Sequence, residues 1–441
     1  MERGHWGSRI GFVLAAAGSA VGLGNIWKFP YMAAENGGAA FLVVYIAIVF
    51  TLGVSVMLAE FVIGRAGERN PVGAFARLKG GAWPIVGYMG ILAAFIILSF
   101  YSVVAGWTIA YVFKSASGLL ATSDPAVLGG IFGDFSGDPV EPVIFHLLFM
   151  ALTAGVVAAG VHAGIERSCE ILLPLLFIIL VILAIRAITL PGAAEGLRFY
   201  LQPDFSKITA ETFNGALAQA FFSLSIGMGI MITYGSYLSP QINLPRSAAW
   251  VTFCDLIVAL LAGLVVLPAV FAFSFDPQAG PGLVFITLPA VFAQMPFGVV
   301  FAVLFFVLLV IAALTSSVSL LEVLVAYAGD QWGWPRKSAT VILSVIVFLL
   351  GIPSSLSLGI WSGYKIFGKG IFDFLDYLSS NLMLPLGGIA ISLFVGWVIM
   401  PKAMSEATNA GGVAFRLAGV WLVICRYVAP IAIAWILLSG L

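Results

Sequence analysis

Charge is what this chain has least of. Of 441 residues, 20 are Lys or Arg and 20 are Asp or Glu, so 9% are charged and the formal net charge is zero. A soluble domain carries about 25% charged residues. The deficit excludes an ordinary water-facing surface, and the lack of a basic excess argues against a nucleic-acid partner. Cysteine is scarce as well. Cys169, Cys254 and Cys425 stand far apart, without metal spacing or a disulfide framework. His5, His146 and His162 show no catalytic or metal-ligand spacing. No nucleophile elbow, paired-histidine motif or phosphate loop is present, so an enzyme is not expected. What remains is apolar: 61% of residues are hydrophobic, with a mean hydropathy of +1.11.

A membrane span needs about 20 apolar residues, and roughly eleven such segments can be placed. Their expected limits are 8–32, 38–64, 84–114, 143–161, 168–189, 213–238, 248–275, 288–328, 337–352, 371–400 and 413–438. No linker divides them, so residues 1–441 read as one all-α integral membrane domain. The first segment carries polar residues through its middle, unlike a cleaved signal peptide. Arg3, Arg9, Arg65, Arg69, Arg77, Lys79, Arg167, Arg246, Arg336, Lys337 and Lys402 fall at one side. Asp124, Asp134, Asp138 and Glu141 lie between segments three and four on the other. By the positive-inside rule the N-terminus is cytoplasmic, and an odd span count puts the C-terminus outside a cell membrane.

The first segment contains Gly18-Ser19-Ala20-Val21-Gly22-Leu23-Gly24-Asn25-Ile26-Trp27-Lys28-Phe29-Pro30. Helix breakers at membrane depth are tolerated where the backbone lines a protein cavity. Carbonyls freed there can coordinate a cation, and freed N–H groups can hold an anion. Segment six repeats the pattern at Gly227-Met228-Gly229, after Phe222-Ser223-Leu224-Ser225-Ile226. Five spans separate the two breaks, which inverts the second half relative to the first. Gly-x-Gly also serves plain helix packing, but polar residues flank both breaks.

Segment eight holds Thr315-Ser316-Ser317 one turn after Ala312. Their hydroxyls and the Ala312 carbonyl can share a face, a donor set suited to sodium. Back-bonding of Ser and Thr to their own helix is the alternative. Asp255 and Glu60 are intramembrane carboxylates, which default to function. Asp255 could balance a cation, and Glu60 could accept freed backbone N–H groups. Glu322 lies nearer the cytoplasmic end, where a carboxylate can also snorkel.

These runs, with Glu35-Asn36-Gly37-Gly38, Ile232-Thr233-Tyr234-Gly235-Ser236-Tyr237 and Leu314-Thr315-Ser316-Ser317, resemble the neurotransmitter:sodium symporter family over almost the whole chain. The likeness is to its prokaryotic, leucine-transporter-like, eleven-span members. The resemblance implies a five-plus-five inverted repeat, about 8–189 and 213–400, with discontinuous helices 1 and 6 and an extra helix at 413–438. It implies two Na⁺ ions. Site one would use Ala20, Asn25, Ser223 and Asp255 with the substrate carboxylate. Site two would use Gly18, Val21, Ala312, Thr315 and Ser316. The substrate would contact Ala20, Gly22, Leu23, Gly24, Ile97, Tyr101, Phe222, Ser223, Ser225, Met228, Ser316 and Leu320.

Chloride-dependent relatives balance charge with Cl⁻, and a carboxylate at Asp255 would replace it. Gly22 stands where amine carriers place an aspartate, which favours a substrate with its own carboxylate. The outer gate would be Phe222 and Tyr101, topped by Lys28 facing Asp373 or Asp376, with Asp373 preferred. The inner gate would pair Arg3 with Asp330, near Trp6, Ser236 and Tyr237. Gly164 and Pro174 mark a weak or kinked start to segment five. The expected activity is sodium-coupled symport of neutral, mainly apolar L-amino acids by alternating access. An osmolyte, taurine or β-amino acid carrier is a second expectation, and a non-transporting solute sensor or channel a third.

Overall fold

In the computed structural model the described residues are 4–276 and 282–439. Among them the chain is helical, with no strand. Nine described helices are long and apolar enough to cross a bilayer: Ala39–Gly67, Pro84–Ala116, Glu141–Ala158, Val161–Ile188, Leu244–Ala272, Gly298–Trp332, Arg336–Leu356, Ile371–Val398 and Ala418–Leu438. A tenth crossing is the pair Arg9–Ala20 and Gly24–Glu35, bent by 50° at the break between them. The sixth segment consists of Ala210–Ser223 and Ile230–Gly235, joined by residues 224–229. Neither piece reaches span length alone. In chain order these are spans one to eleven.

Several boundaries differ from expectation; span five, for one, begins at Val161 rather than 168. Span eight was expected to begin at 288, but it begins at Gly298. Residues Leu288–Ala293 form a separate short helix after a π-helical turn at Leu283–Thr287. The chain reverses at Phe297, which has a left-handed φ of 59°. A Cβ on Gly298 would lie within 1.8 Å of the Phe292 carbonyl oxygen, so only glycine fits that reversal. Span nine is longer than expected, running Arg336–Leu356.

Short helices sit between spans. Pro71–Leu78 starts at Asn70, whose side chain accepts the Gly73 N–H at 3.2 Å. Pro125–Gly137 starts at Asp124, which accepts the Ala126 N–H at 2.9 Å. In both, Pro near the first position costs no hydrogen bond, because that N–H has no intrahelical partner. Span five begins with a π-helical turn, Val161–Glu166, and contains Pro174.

Small residues let the spans approach closely. A Cβ on Gly64 would reach the Ile232 carbonyl oxygen at 2.1 Å, and one on Gly235 the Phe61 oxygen at 2.9 Å. Span two and the second half of span six therefore touch backbone to backbone. Spans three and eight form the most extensive pair. Span five turns Ile171, Ile178, Ile182 and Ile185 outward, as a lipid-facing surface requires. Spans one and six, both broken, are buried around their breaks.

Candidate substrate and ion site at the two helix breaks

Span one loses its helix after Ala20. Val21 has ψ 95°, which points its carbonyl away from the helical ladder. The Gly22 N–H is taken by Asn25 Oδ1 at 3.0 Å, and the Leu23 N–H by the Tyr101 hydroxyl at 3.3 Å. The freed Ser19 carbonyl accepts hydroxyls of Ser225 and Ser316, each at 3.1 Å. The Gly24 carbonyl accepts Gln219 Nε2 at 2.8 Å. In span six, Ser225, Gly227 and Gly229 all have left-handed φ, so the chain cannot stay helical there. The Gly227 N–H is taken by Glu60 Oε1 at 2.7 Å. Thus a buried carboxylate from span two replaces the hydrogen bond that the break removed.

Both breaks face a small cavity of about 30 Å³. All the residues expected to contact substrate line it: Ala20, Gly22, Leu23, Gly24, Ile97, Tyr101, Phe222, Ser223, Ser225, Met228, Ser316 and Leu320. Ser19 and Ile230 also line it and were not anticipated. Each adjoins a break, which is the signal that would have found them. Gln219 was missed as well. It lies four residues before Ser223, hence on the same helix face.

Asn25, Ser223 and Asp255 converge from spans one, six and seven. Asn25 Nδ2 donates to Ser223 Oγ at 2.9 Å and to Asp255 Oδ1 at 2.8 Å. The Ser223 hydroxyl donates to the same Oδ1 at 2.8 Å. Asp255 Oδ2 is buried and has no hydrogen-bond partner among the described residues. A buried carboxylate oxygen left bare is costly unless a cation or donor meets it. With the Asn25 side-chain oxygen nearby, the donor set fits a hard cation.

A second oxygen cluster joins spans one and eight. The Thr315 hydroxyl donates to the Ile311 and Ala312 carbonyls at 3.2 and 3.1 Å. Ser316 Oγ is 3.5 Å from the Val21 carbonyl oxygen. A Cβ on Gly18 would lie 3.3 Å from Thr315 Cβ and from Cys169 Sγ. Gly18, Val21, Ala312, Thr315 and Ser316 are therefore neighbours. Back-bonded hydroxyls keep lone pairs free, so both expectations for Thr315 are compatible. No group of three or more His, Cys, Asp or Glu that could hold a metal occurs among the described residues. A transition metal is unsuited, whereas neutral carbonyl and hydroxyl oxygens suit an alkali cation.

Above the small cavity lies a larger one of about 340 Å³. Leu23, Gly24, Tyr101 and Phe222 line both, so the two rings form the partition between them. Lys28, Asp373 and Asp376 line the larger cavity. Lys28 is not joined to either aspartate within 4 Å. Its Nζ instead sits 4.9 Å from the centroid of the Phe222 ring, and Asp376 accepts the Ser380 hydroxyl at 2.8 Å. The lysine charge thus rests on the aromatic partition.

On the opposite side, Arg3, and with it the expected pairing to Asp330, lies outside the described residues. Asp330 Oδ2 accepts the Asn70 N–H at 2.7 Å. Glu322, for which snorkelling was the alternative, is fully buried. It accepts the Tyr237 hydroxyl at 2.7 Å and both terminal nitrogens of Arg336, one at 3.1 Å. Arg336 also donates to the Val157 carbonyl at 2.9 Å. Trp6 Nε1 donates to the Tyr234 carbonyl at 3.0 Å. Glu166, at the turn starting span five, accepts the Gly7 and Ser8 N–H groups at 2.7 and 3.0 Å and pairs with His162. Neither the Arg336–Glu322 pair nor the Glu166 clasp was anticipated, because Arg336 comes from the next span and Gly7 and Ser8 from the start of span one.

Two interrupted helices around a buried oxygen-rich cavity define the class of an integral membrane carrier. A model of the sodium:neurotransmitter symporter family matches residues 3–125 and 137–441. An uncharacterised sodium-dependent transporter of Bacillus subtilis is 43% identical, over 98% of this chain and 97% of that one. One of Haemophilus influenzae is 40% identical, over 100% and 98%. The crystal structure of MhsT in complex with L-phenylalanine is 46% identical, covers 100% of both chains and superposes with a TM-score of 0.92. The chain belongs to the sodium:neurotransmitter symporter family. It is a sodium-dependent transporter and not an enzyme.

Proposed function

We propose that this protein couples sodium to uptake of neutral, mainly apolar L-amino acids, aliphatic or aromatic, by alternating access and without chloride. The observation that carries the reading is the small cavity itself. No charged side chain is among its described lining residues, and Ile97, Phe222, Met228 and Leu320 supply an apolar wall. Opposite this wall stand the Leu23 N–H, the Tyr101 hydroxyl and the carbonyls of the broken segments. That arrangement suits a zwitterion with an apolar side chain. A Cβ on Gly22 would lie 2.6 Å from Ser316 Oγ, so the cavity has no room there for a residue that would pair with an amine. The L-phenylalanine in the MhsT complex supports the same substrate class.

Two Na⁺ ions enter with each substrate in this reading. One is held by Ala20, Asn25, Ser223 and Asp255, the other by Gly18, Val21, Ala312, Thr315 and Ser316. The substrate carboxylate completes the first shell, so substrate and ion raise each other's affinity equally. Asp255 supplies the negative charge that chloride would otherwise bring. Each charge moved across 100 mV contributes about 2.3 kcal/mol, and a tenfold Na⁺ gradient about 1.4 kcal/mol per ion.

Closure outside would carry Lys28 from the Phe222 face to Asp373 or Asp376. Opening inside would separate Trp6, Glu166 and the Tyr237–Glu322–Arg336 group, together with Arg3 and Asp330. Residues of about 8–189 and 213–400 are the two inverted halves, and 413–438 is an added helix. The N-terminus faces the cytoplasm and the C-terminus the outside of a cell membrane.

The test is thermal stabilisation of purified protein by an amino-acid panel in NaCl and in KCl. Stabilisation by leucine, tyrosine or tryptophan in NaCl alone is expected. Stabilisation in KCl would overturn the ion sites, and a preference for taurine or betaine would overturn the pocket. Uptake into vesicles should survive replacement of chloride by gluconate.

A further inference from the structure

A groove of about 470 Å³ lies where the end of span two, the helix Pro71–Leu78 and the end of span ten meet. Ala66, Leu78 and Val398 make it apolar, while Arg77, Lys79 and Lys402 bring positive charge. Arg77 is neutralised by Glu68 at 2.6 Å, and the other nearby carboxylate, Glu406, is taken by Arg65 at 2.8 Å, so the uncompensated charge is that of the two lysines. Lys79 and Lys402 are exposed, and neither has a carboxylate partner within 4 Å among the described residues.

A second feature borders the groove. Arg426 stands in span eleven, about eight residues from Ala418, or roughly 12 Å along the helix. Its Nε donates to the Gly396 carbonyl at 2.6 Å, and its guanidinium lies 5.3 Å over the Trp397 ring. Trp397 returns a hydrogen bond to the Arg426 carbonyl at 3.3 Å and meets Tyr427 at 5.5 Å. Both rings are exposed, at 56% and 47%. The terminal nitrogens of Arg426 make no protein hydrogen bond among the described residues. A guanidinium carries five N–H donors, so most of them are left for something outside the protein. Trp397 directly precedes Val398 of the groove. Trp397, at the end of span ten, marks the headgroup level of a bilayer, and ammonium groups near that level attract anionic lipid.

We propose that the groove and the Arg426–Trp397 face hold one anionic phospholipid of the inner leaflet. Its phosphate sits at Lys79 and Lys402, its ester oxygens accept from Arg426, and its acyl chains cover Trp397 and Tyr427. The ester oxygens of a lipid lie deeper than its phosphate, as Arg426 lies deeper than the two lysines. The assignment to the inner leaflet rests on the orientation proposed above, whereas the lipid contact itself does not.

Full-length protein in mild detergent is titrated with phosphatidylglycerol or phosphatidylcholine, and retained lipid is counted by native mass spectrometry. Phosphatidylglycerol is expected to stay bound and phosphatidylcholine to be lost. Excess inorganic phosphate should not displace the bound lipid. The K79Q/K402Q pair, both exposed side chains, should weaken phosphatidylglycerol binding by about 30-fold, as expected for two surface charges. R198Q, at an exposed arginine elsewhere, should leave it unchanged. Equal retention of the two lipids, an unaffected K79Q/K402Q variant, displacement by phosphate, or a second copy of the chain in place of lipid would each overturn the proposal. Sodium-dependent leucine binding on the same samples reports folding and the transport site separately, so failure of one reading is not failure of the other.

Discussion

Replacing Asp255 by Asn tests the charge at the first proposed ion site with little disturbance of its shape. The asparagine oxygen can still accept from Asn25 and Ser223, both of which now donate to Oδ1 at 2.8 Å. What disappears is the negative charge. Opposite unit charges about 4 Å apart attract by about 4 kcal/mol at an effective dielectric constant near 20. Part of that is offset, because the wild-type carboxylate pays for its burial and the amide does not. A net loss of about 1.4 to 2.8 kcal/mol remains, equal to a 10- to 100-fold rise in the Na⁺ concentration needed for half-saturation. The assay is a Na⁺ titration of leucine-induced thermal stabilisation, with choline holding ionic strength constant. The variant should also gain a dependence on chloride, which the proposed function does not expect of the wild type, because an anion can then supply the missing charge. A Na⁺ midpoint within about twofold of wild type would refute an electrostatic role for Asp255, since twofold is only about 0.4 kcal/mol.

Other outcomes follow from the same geometry. Met228→Phe fills the apolar wall and should lower the ranking of aromatic substrates relative to small aliphatic ones in the thermal-shift panel; an unchanged ranking would remove Met228 from the pocket. Gly22→Ala puts a methyl 2.6 Å from Ser316 Oγ and 3.2 Å from the Tyr101 hydroxyl, and should weaken substrate binding about tenfold with Na⁺ affinity less affected. Arg336→Ala leaves Glu322 buried without its cation, a change that costs about 3–5 kcal/mol in other proteins; lower thermal stability and greater cytoplasmic accessibility of a reporter cysteine on span one are expected. Lys28→Gln removes the charge above Phe222 and should speed substrate release to the outside, read as a faster off-rate of radiolabelled leucine; an unchanged off-rate would assign Lys28 no part in outer closure.

Much of the site was legible before any coordinates. Breakers inside apolar runs cannot be placed in lipid without a cavity to receive them. Gly22-Leu23-Gly24 and Gly227-Met228-Gly229 therefore announced the two breaks, and Thr315-Ser316 and Asp255 announced polar groups at the same depth. These signals are local, since each depends on a few consecutive residues and on the cost of burying them. Ala20, Asn25 and Ser223 entered through family resemblance, and the tertiary structure brings them together.

Other features depend on which helices touch. Hydropathy sums over the chain and cannot see that Phe297 turns left-handed, so it ran residues 288–297 into span eight. It cannot choose between Asp373, Asp376 and the Phe222 ring as the resting place of Lys28, since all three lie within reach of a flexible side chain. It could not turn Glu322 inward either, because its partner Arg336 is on the next span and Tyr237 comes from span six. Composition and local pattern alone determined that this chain crosses a membrane, where its helices break and which residues it hides there. The partner of each hidden charge was decided only by the packing, because a buried ion is satisfied by whatever neighbour three dimensions bring to it.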